Sequence, residues 1–262
     1  LLRRQRQMCI RDRFGPLLPG FKHLGWGDHD ALHAAIDERT AAIIIEPVQG
    51  EGGIRPLPDQ CLKGLRDLCD HHGILLILDE VQCGMGRTGK LFAHEWAGVE
   101  PDIMMVAKGI GGGFPLGAVL ATEEAASGMT AGTHGSTYGG NPLGCAVGNA
   151  VMDHVADPDF LASVNRKAGH LRQKLEGLVA SHPEVFEAVR GAGLMLGLQC
   201  RAPNTDVVTA GYDALIVTVP AADNVVRLLP PLTISEDEID EAVARLDAAA
   251  TAVESKADAV KA

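Results

Sequence analysis

The sequence predicts an α/β protein, with a partial large domain built on a mainly parallel sheet and a smaller α+β domain on its C-terminal side. Three observations support this fold class. Short runs of residues alternate with helical patterns in the first half, these runs are continuously apolar, and the pattern changes near residue 155. Strands buried on both faces of a parallel sheet produce such runs, and their alternation with helices is typical of βαβ units.

Four strands are predicted for the large domain, and we expect each to be buried on both faces because none alternates between apolar and polar residues. A helix follows the first strand, since Pro58 suits the first helical position and Gly73 suits a helix end. The predicted strands are AAIIIEP (41–47), ILLILDE (74–80), DIMMVAK (102–108) and LGAVLAT (116–122).

The second half of the chain begins with two predicted helices, from Asn141 to about His154 and from about Phe160 to Ser181. Three strand-like runs follow, and a capping-box motif at 235–238 then opens a closing helix. The runs are GLMLGLQC (193–200), ALIVTVP (214–220) and NVVRLLP (224–230). We therefore expect a large domain over 14–154 and a small domain over 155–262.

The first thirteen residues, LLRRQRQMCIRDR, do not fit this plan. They are rich in arginine, show no period, and meet Phe14 without a Gly, Pro or Ser linker. They resemble translated sequencing-adapter sequence more than a targeting signal. We predict that residues 1–13 are a non-native or disordered arm.

Composition narrows the possible partners and the compartment. The 23 basic and 34 acidic residues give a net charge of −11, which repels polyanions, so we expect no nucleic-acid partner. No apolar run reaches the length of a membrane span, so we expect no membrane partner. The six cysteines are scattered through a chain too large to need disulfides, which predicts reduced thiols and a cytoplasmic location.

Ionisable residues end three of the predicted strands: Glu46, Asp79 and Lys108. Because the carboxyl ends of parallel strands share one edge, these side chains should converge on one crevice. Desolvation beyond an apolar strand would favour the neutral, nucleophilic amine of Lys108, which suits a Schiff base with an aldehyde cofactor. Asp79 could supply the carboxylate that such a cofactor needs opposite its ring nitrogen. Taken singly, Lys108 is more simply explained as a surface lysine and Asp79 as a helix cap or an ion-pair partner. The two together, at adjacent strand ends, favour catalysis.

Four longer motifs, in this order, resemble the class III, fold type I aminotransferases, which depend on pyridoxal phosphate. The motifs are EPVQGEGG (46–53), LILDEVQCGMGRTGK (76–90), VAKGIGGGFPLGAVLA (106–121) and HGSTYGGNPLGCAV (134–147). The resemblance extends from about Phe14 into the C-terminal helix. It implies the fold of that family for the large and small domains.

The resemblance also implies roles for four cofactor-site residues. Lys108 would carry pyridoxal phosphate and then act as the catalytic acid and base, a task that suits a freed amine. Asp79 would pair with the ring nitrogen, and Gln82 would hydrogen-bond the phenolic oxygen. Thr137 would bind the cofactor phosphate of the neighbouring subunit, which implies a homodimer.

Three further residues are implied to bind substrate. Glu46 and Glu51 would lie at the substrate mouth, and Arg227 would offer a planar, permanently charged fork to a substrate carboxylate. Glu51 is expected to pair with Arg227. In relatives that accept both an ω-amine donor and glutamate, such a pair acts as a switch that glutamate opens.

Within the family, three stretches are most similar to enzymes of arginine biosynthesis that move the δ-amino group of N-acetylornithine to 2-oxoglutarate. They are FGPLLPGF (14–21), VTVPAADN (217–224) and DNVVRLLPPLTIS (223–235). Enzymes acting on ornithine, succinylornithine, succinyldiaminopimelate or 4-aminobutyrate share the core motifs. The amino donor therefore stays open among these compounds.

Members of the family are longer than this chain, so we expect an N-terminal truncation upstream of Phe14. That part normally contributes a loop that cups the phosphate, an aromatic ring that stacks on the cofactor, and an arginine for a substrate carboxylate. Residues 14–45 offer no replacement for them. An inactive fragment of such an enzyme is accordingly an alternative interpretation.

Two other patterns would indicate a dinucleotide site and a zinc site, and both are weak. GMGRTG (84–89) matches the glycine spacing of a dinucleotide-binding module, but other residues separate it from the strand and no amphipathic helix opens at its last glycine. A zinc site at Cys61, Cys69, His71 and His72 matches no ligand spacing, and both cysteines fall on the predicted buried face of their helix. We expect no metal site.

Overall fold

The computed structural model of the protein describes residues 18–261, so the prediction for residues 1–13 lies outside the described residues. The helices are α1 (His29–Ala35), α2 (Asp59–His72), α3 (Glu123–Ala126), α4 (Pro142–Val155), α5 (Pro158–Ser181), α6 (Asn204–Asp213) and α7 (Glu236–Lys261). The strands are β1 (Ala42–Ile45), β2 (Val48–Gln49), β3 (Arg55–Pro56), β4 (Leu75–Asp79), β5 (Ile103–Val106), β6 (Ala118–Ala121), β7 (Phe186–Ala192), β8 (Met195–Cys200), β9 (Val219–Ala221) and β10 (Val225–Leu228).

The first sheet has the strand order β1-β4-β5-β6. Its first three strands are parallel and β6 is antiparallel to β5, so the prediction of a mainly parallel sheet is confirmed. The expectation that all four strands are buried on both faces is wrong for β6, all four of whose residues are exposed, and for β1, where Ile44 is 53% exposed. An apolar run reports strand propensity, but burial requires other elements to cover the strand.

Helix α2 packs on this sheet through the apolar face that its sequence predicts. Leu62, Leu65 and Cys69 are buried in a cluster with β4. The helix ends at Gly73, whose φ of +62° is left-handed, as glycine allows. Pro58 is the N-cap rather than the first helical residue.

The cysteine and histidine residues of α2 separate in burial. Cys69 is fully buried, whereas Cys61 is only half-buried, so the expectation of a buried face is right for one cysteine and too strong for the other. His71 and His72 are exposed at the end of the helix.

The second sheet has the order β7-β8-β10-β9 and is antiparallel throughout. All residues of β8 and β10 are buried. Sequence reasoning missed β7, because Glu187 and Arg190 interrupt its apolar residues and an irregularity between Phe186 and Ala188 breaks the alternation.

The strand predicted at 214–220 is wrong over most of its length. Ala214 caps α6, a helix that the sequence pattern did not predict, and Leu215 has a left-handed φ of +61°. This turn cannot continue as a strand, and it leaves Leu215 and Val217 exposed at 75% and 80%. Only the last residues of the run enter β9.

The longer helices begin at capping residues. Asn141 caps α4, and its side chain accepts a hydrogen bond from the N–H of Gly144 at 2.8 Å. The capping box of α7 is confirmed: Ser235 Oγ accepts from the N–H of Glu238 at 3.2 Å, and Glu238 Oε2 accepts from the N–H of Ser235 at 2.8 Å. Helix α5 starts at Pro158, slightly before the predicted Phe160. Within residues 18–261, no helix is both long and apolar enough to cross a membrane.

The buried apolar residues form one cluster beneath each sheet and a smaller cluster between them. The smaller cluster combines Val48, Ile54 and Cys83 from the first half with Met195 and Val225 from the second. The two sheets lie on either side of residue 155, where the domain boundary is predicted. That boundary stays a prediction, because the middle cluster packs residues from both halves together.

Candidate active site

The parallel strands of the first sheet bring three predicted site residues to one edge. In the register of the sheet, Ile45 pairs with Leu78, and Asp79 pairs with Met105. Glu46 therefore follows β1 at the level where β4 ends in Asp79. Lys108 lies just past β5 and opens a short 3-10 turn that ends at Gly111.

Glu46 is the electrostatic centre of this group. Burial raises its pKa, and the carboxylates of Asp79 and Glu51 raise it further. A hydrogen bond from the N–H of Gly50 to Glu46 Oε2, 3.0 Å long, and the charge of Lys108 act in the opposite direction. Four of the predicted site residues are thus electrostatic neighbours.

Lys108 itself differs from the expectation, because its side chain is exposed rather than desolvated. The 3-10 turn carries it beyond the strand, and its own φ of +49° lies in the left-handed region. A residue other than glycine adopts that conformation at a cost of about 1–3 kcal/mol, and such strain is concentrated at functional sites. The turn packs closely: a Cβ on Gly109 would lie 2.9 Å from the Cβ of Met85.

Asp79 and Gln82 lie in the loop that leaves β4. Asp79 is half-buried, and its Oδ1 accepts a hydrogen bond from the N–H of Val81 at 3.0 Å. The Gln82 amide packs against Gly50, where any Cβ would lie 2.2 Å from Gln82 Oε1. Gly50 therefore leaves the space that Gln82 fills, a role that sequence reasoning missed, although the glycine stands inside the motif EPVQGEGG.

The ion pair expected between Glu51 and Arg227 is present. Arg227 Nη1 lies 2.6 Å from Glu51 Oε1, with the arginine side chain 8% exposed and the glutamate side chain 59% exposed. Strand β10 carries Arg227 between Gly197 of β8 and Val219 of β9. The Nε of Arg227 is buried and has no hydrogen-bond partner among the described residues.

Thr137 makes no hydrogen bond or ion pair with the other predicted site residues within residues 18–261. It lies exposed in the loop between α3 and α4. This placement leaves Thr137 accessible to another molecule.

Two carboxylates, the buried Glu80 and the half-buried Asp223, support the site and were not singled out from the sequence. Glu80, adjacent to Asp79, has no exposed surface and accepts hydrogen bonds from the N–H groups of Ala93 and His94 at 2.7 and 2.8 Å. Those bonds hold the chain segment that follows the GMGRTG loop against the end of β4. The second carboxylate of LILDE was the available signal, because a carboxylate inside a buried strand needs donors.

The second of these carboxylates, Asp223, lies half-buried beside the Glu51 loop. Burial alone would raise the pKa of Asp223, but hydrogen bonds from Arg190 and Arg55, at 2.6 and 2.9 Å, lower it overall. Arg190 also approaches the carbonyl of Gly53, and the N–H of Ala222 donates to the carbonyl of Glu51 at 3.0 Å. These bonds attach the Glu51 loop to the second sheet.

A cavity of about 570 Å³ opens beside Lys108. Gln82, Arg87 and Lys108 provide polar groups in its wall, and the rest of the wall is mainly apolar, including Val151 and Leu232. Pockets of this size, mainly apolar with a few polar groups, are typical of cofactor and substrate sites.

The GMGRTG segment does not form a dinucleotide site. It folds as a series of turns, in which Gly86 N–H bonds Leu91 O at 3.0 Å and Gly89 N–H bonds Gly86 O at 3.0 Å. The next helical segment is a short 3-10 turn at Ala93–Trp96, so no α-helix N-terminus faces the loop as a pyrophosphate site requires.

A family model, aminotransferase class III, matches residues 6–250. The chain belongs to the class III aminotransferases. The match begins upstream of Phe14, where we expected the resemblance to start. It agrees with the geometry, in which a strand-end lysine, an aspartate and a glutamate share one sheet edge, and with the predicted α/β fold.

Individual relatives give a consistent result. The chain is 70% identical to acetylornithine aminotransferase of Rhodobacter capsulatus over 93% of its own length and 62% of that enzyme's. It is 62% identical to the acetylornithine aminotransferase of Mesorhizobium japonicum, over 90% of this chain and 59% of the relative. The chain therefore spans about 60% of the length of these relatives.

Solved structures share the fold. N-acetylornithine aminotransferase of Stenotrophomonas maltophilia superposes with a TM-score of 0.82 at 37% identity, covering 90% of this chain and 64% of that one. Ornithine aminotransferase of Toxoplasma gondii gives a TM-score of 0.87 at 34% identity, covering 94% of this chain and 59% of that one.

Proposed function

We propose that this chain is part of a pyridoxal-phosphate-dependent transaminase that moves the δ-amino group of N-acetylornithine to 2-oxoglutarate, in the arginine biosynthesis of the cytoplasm. The observation that carries the proposal is the group of Glu46, Asp79 and Lys108 at one sheet edge, with Gln82 and a cavity beside it. The 70% identity to an acetylornithine aminotransferase supports this donor.

The residues present fit the cofactor by their chemistry. Lys108 offers an amine for an aldehyde, Asp79 a carboxylate for a ring nitrogen, and Gln82 an amide for a phenolic oxygen. When bound, pyridoxal phosphate supplies the aldehyde and an electron-accepting ring. The space above Gly50 that holds the Gln82 amide is consistent with a fixed donor at the ring edge.

Lys108 is the acid and base of the proposed reaction. Its Nζ takes the proton from the substrate carbon that bears the amino group and returns a proton during the transfer. The carboxylate of Asp79 would pair with the ring nitrogen and favour its protonated form, because an opposite charge nearby stabilises a pyridinium. Gln82 would hold the ring through a hydrogen bond from its amide.

Glu51 and Arg227 would discriminate between the two substrates. Arg227 binds a carboxylate of 2-oxoglutarate or glutamate, and it can do so only after Glu51 moves aside. Glu51 is more than half exposed, so it can swing into solvent, whereas buried Arg227 stays in place. Glu46 borders the same mouth, and burial raises the pKa of its carboxyl group.

Thr137 is assigned to the cofactor phosphate of a neighbouring subunit. Its exposure, without a hydrogen bond to the Lys108 group of its own chain, supports a role across a homodimer. The active site of the whole protein would then need two chains.

The test is absorbance after addition of pyridoxal phosphate. The wild-type chain should develop the visible band of lysine-bound cofactor, and Lys108→Ala should not. Lys90→Ala is the matched control, because Lys90 is another lysine of the same half but lies over the ring of Trp96. Borohydride reduction followed by peptide mass spectrometry should locate the label on Lys108. A Lys108→Ala protein that keeps the band would refute the assignment.

Ornithine is the second candidate donor, because the ornithine aminotransferase of Toxoplasma gondii has the higher TM-score of the two structures. In the cofactor-loaded protein, N-acetylornithine should bleach the band faster than ornithine or 4-aminobutyrate. The reverse order would favour the second donor. A band that forms but responds to no donor would favour the inactive fragment.

A further inference from the structure

One residue of the GMGRTG loop connects the two sheets. Arg87 Nη1 donates hydrogen bonds to the carbonyl of Pro230 at 2.5 Å and to the carbonyl of Leu194 at 3.3 Å. The backbone carbonyl of Arg87 in turn accepts from the N–H of Leu194 at 2.9 Å. Side chain and backbone of a single residue thus attach the loop after β4 to the second sheet.

The partners of Arg87 lie where substrate binding would depend on them. Pro230 follows the end of β10, the strand that carries Arg227, and Leu194 lies in the turn between β7 and β8. On the other side, the loop of Arg87 starts at Asp79 and includes Gln82. Arg87 therefore joins the segment of the cofactor residues to the strand of the substrate arginine.

The contact between loop and turn is close at the backbone level as well. A Cβ on Gly193 would lie 2.5 Å from Arg87 O and 2.5 Å from the Cα of Thr88. Because main chain meets main chain there, no flexible side chain can absorb a shift. A displacement of the loop would move the turn with it.

The charge of Arg87 makes this arrangement costly. Burial lowers the pKa of Arg87 to about 10, and within residues 18–261 its side chain has no carboxylate among its hydrogen-bond or ion-pair partners. Arg87 is half-buried, and a guanidinium partly removed from water without a counter-ion is disfavoured, whereas an apolar side chain would fill the same volume at lower cost. What an apolar side chain cannot provide is directional donation to two carbonyl oxygens.

We propose that Arg87 is a positioning residue that fixes β10, and with it Arg227, relative to the loop of Asp79 and Gln82. It sets the distance between the substrate carboxylate held by Arg227 and the reacting atoms near Lys108. This step rests on the function proposed for Arg227, but the attachment of β10 by Arg87 does not.

The experiment compares Arg87→Met and Arg87→Lys with a matched control, Arg172→Met. Arg172 also donates to a backbone carbonyl, that of Gly191 at 2.6 Å, but both residues lie in the second half of the chain. Hydrogen exchange is measured without cofactor. In Arg87→Met, the amides of Leu194 and of 225–228 should exchange at least tenfold faster, whereas β1, β4 and β5 should not change. In Arg87→Lys, which keeps a charged donor, the same amides should exchange at rates between those of the wild type and of Arg87→Met.

The second readout is glutamate binding by the cofactor-loaded protein, followed through the visible band. Once both proteins are saturated with cofactor, Arg87→Met should need at least tenfold more glutamate than the wild type for half of the spectral change. Arg172→Met should need no more than about twofold more. A shift in glutamate requirement with unchanged cofactor loading is not what general loss of stability produces.

Three results would overturn the proposal. They are unchanged exchange at Leu194 and 225–228 in Arg87→Met, faster exchange in both sheets alike, or an unchanged glutamate requirement despite faster exchange of β10. If the wild type forms no band, the proposed function fails, while the exchange comparison still decides whether Arg87 holds β10. If Arg87→Met does not fold, the same comparison is made with Arg87→Lys.

Discussion

The two sheets of the molecule differ in how completely the described residues cover them. In the second sheet, every residue of β8 and β10 is buried, and α5 and α7 supply much of the surrounding core. In the first sheet, β6 is exposed throughout and Lys108 lies exposed at the carboxyl edge. Under the proposed function, the difference separates two tasks: the buried central strands of the second sheet support Arg227, whereas the edge of the first sheet carries the amine of Lys108.

The largest expected effect comes from the same substitution made in each sheet. Leu196 in β8 has no exposed surface, and Leu196→Ala should lower the free energy of unfolding by about 2–5 kcal/mol through lost burial and a cavity. Leu120 in β6 is 47% exposed, so Leu120→Ala should cost within about 0.5 kcal/mol. Urea unfolding measures both. Equal losses would mean that β6 is covered in solution and that the contrast between the sheets is false.

This contrast also shows what the sequence could and could not predict. The shared location of Glu46, Asp79 and Lys108 could be predicted, because parallel strands present their carboxyl ends at one edge of the sheet. The exposure of β6 could not be predicted, because an apolar run carries no information on whether another element covers it. The exposure of Lys108 was missed for the same reason, since the 3-10 turn that carries it outward is a local conformation of a glycine-rich segment.

Ion-pair partners that are distant in sequence could be predicted only through the family resemblance. The Glu51–Arg227 pair joins residues far apart in sequence, and no local pattern links them. Glu80 and Asp223 were overlooked because their donors are backbone N–H groups and distant arginines. Such partners are set by tertiary structure, whereas helix caps such as Ser235 depend on neighbours within one turn and were predicted correctly.

The next effect tests the junction between the two regions. Gly193→Ala would place a Cβ atom 2.5 Å from the backbone of Arg87 and Thr88, at a residue with a left-handed φ of +56°. Overpacking and backbone strain together should lower the free energy of unfolding by roughly 2–4 kcal/mol. Gly73→Ala is the matched control, because Gly73 has a similar φ of +62° with nothing within 4 Å of its Cβ position, and it should cost about 1 kcal/mol. Both are measured by chemical unfolding. Similar costs for the two variants would show that the turn can move away from the Arg87 loop and that the junction is loose.

The smallest effect concerns pH and the helices that cover the second sheet. His182 follows α5, is buried, and lies 2.9 Å from Asp247 and 3.0 Å from Glu254 of α7. Although burial opposes it, hydrogen bonds to the two carboxylates raise the pKa of His182 above 6.5. The protonated ring therefore stabilises the folded state fully below pH 6.5, and this contribution is lost as pH rises through the folded-state pKa. Since both partners are partly exposed, the loss should be about 1 kcal/mol. The free energy of unfolding, measured from pH 5.5 to 9, should show this loss in the wild type and not in His182→Gln. Parallel pH profiles for the two proteins would mean that His182 does not help to hold α7 against the second sheet.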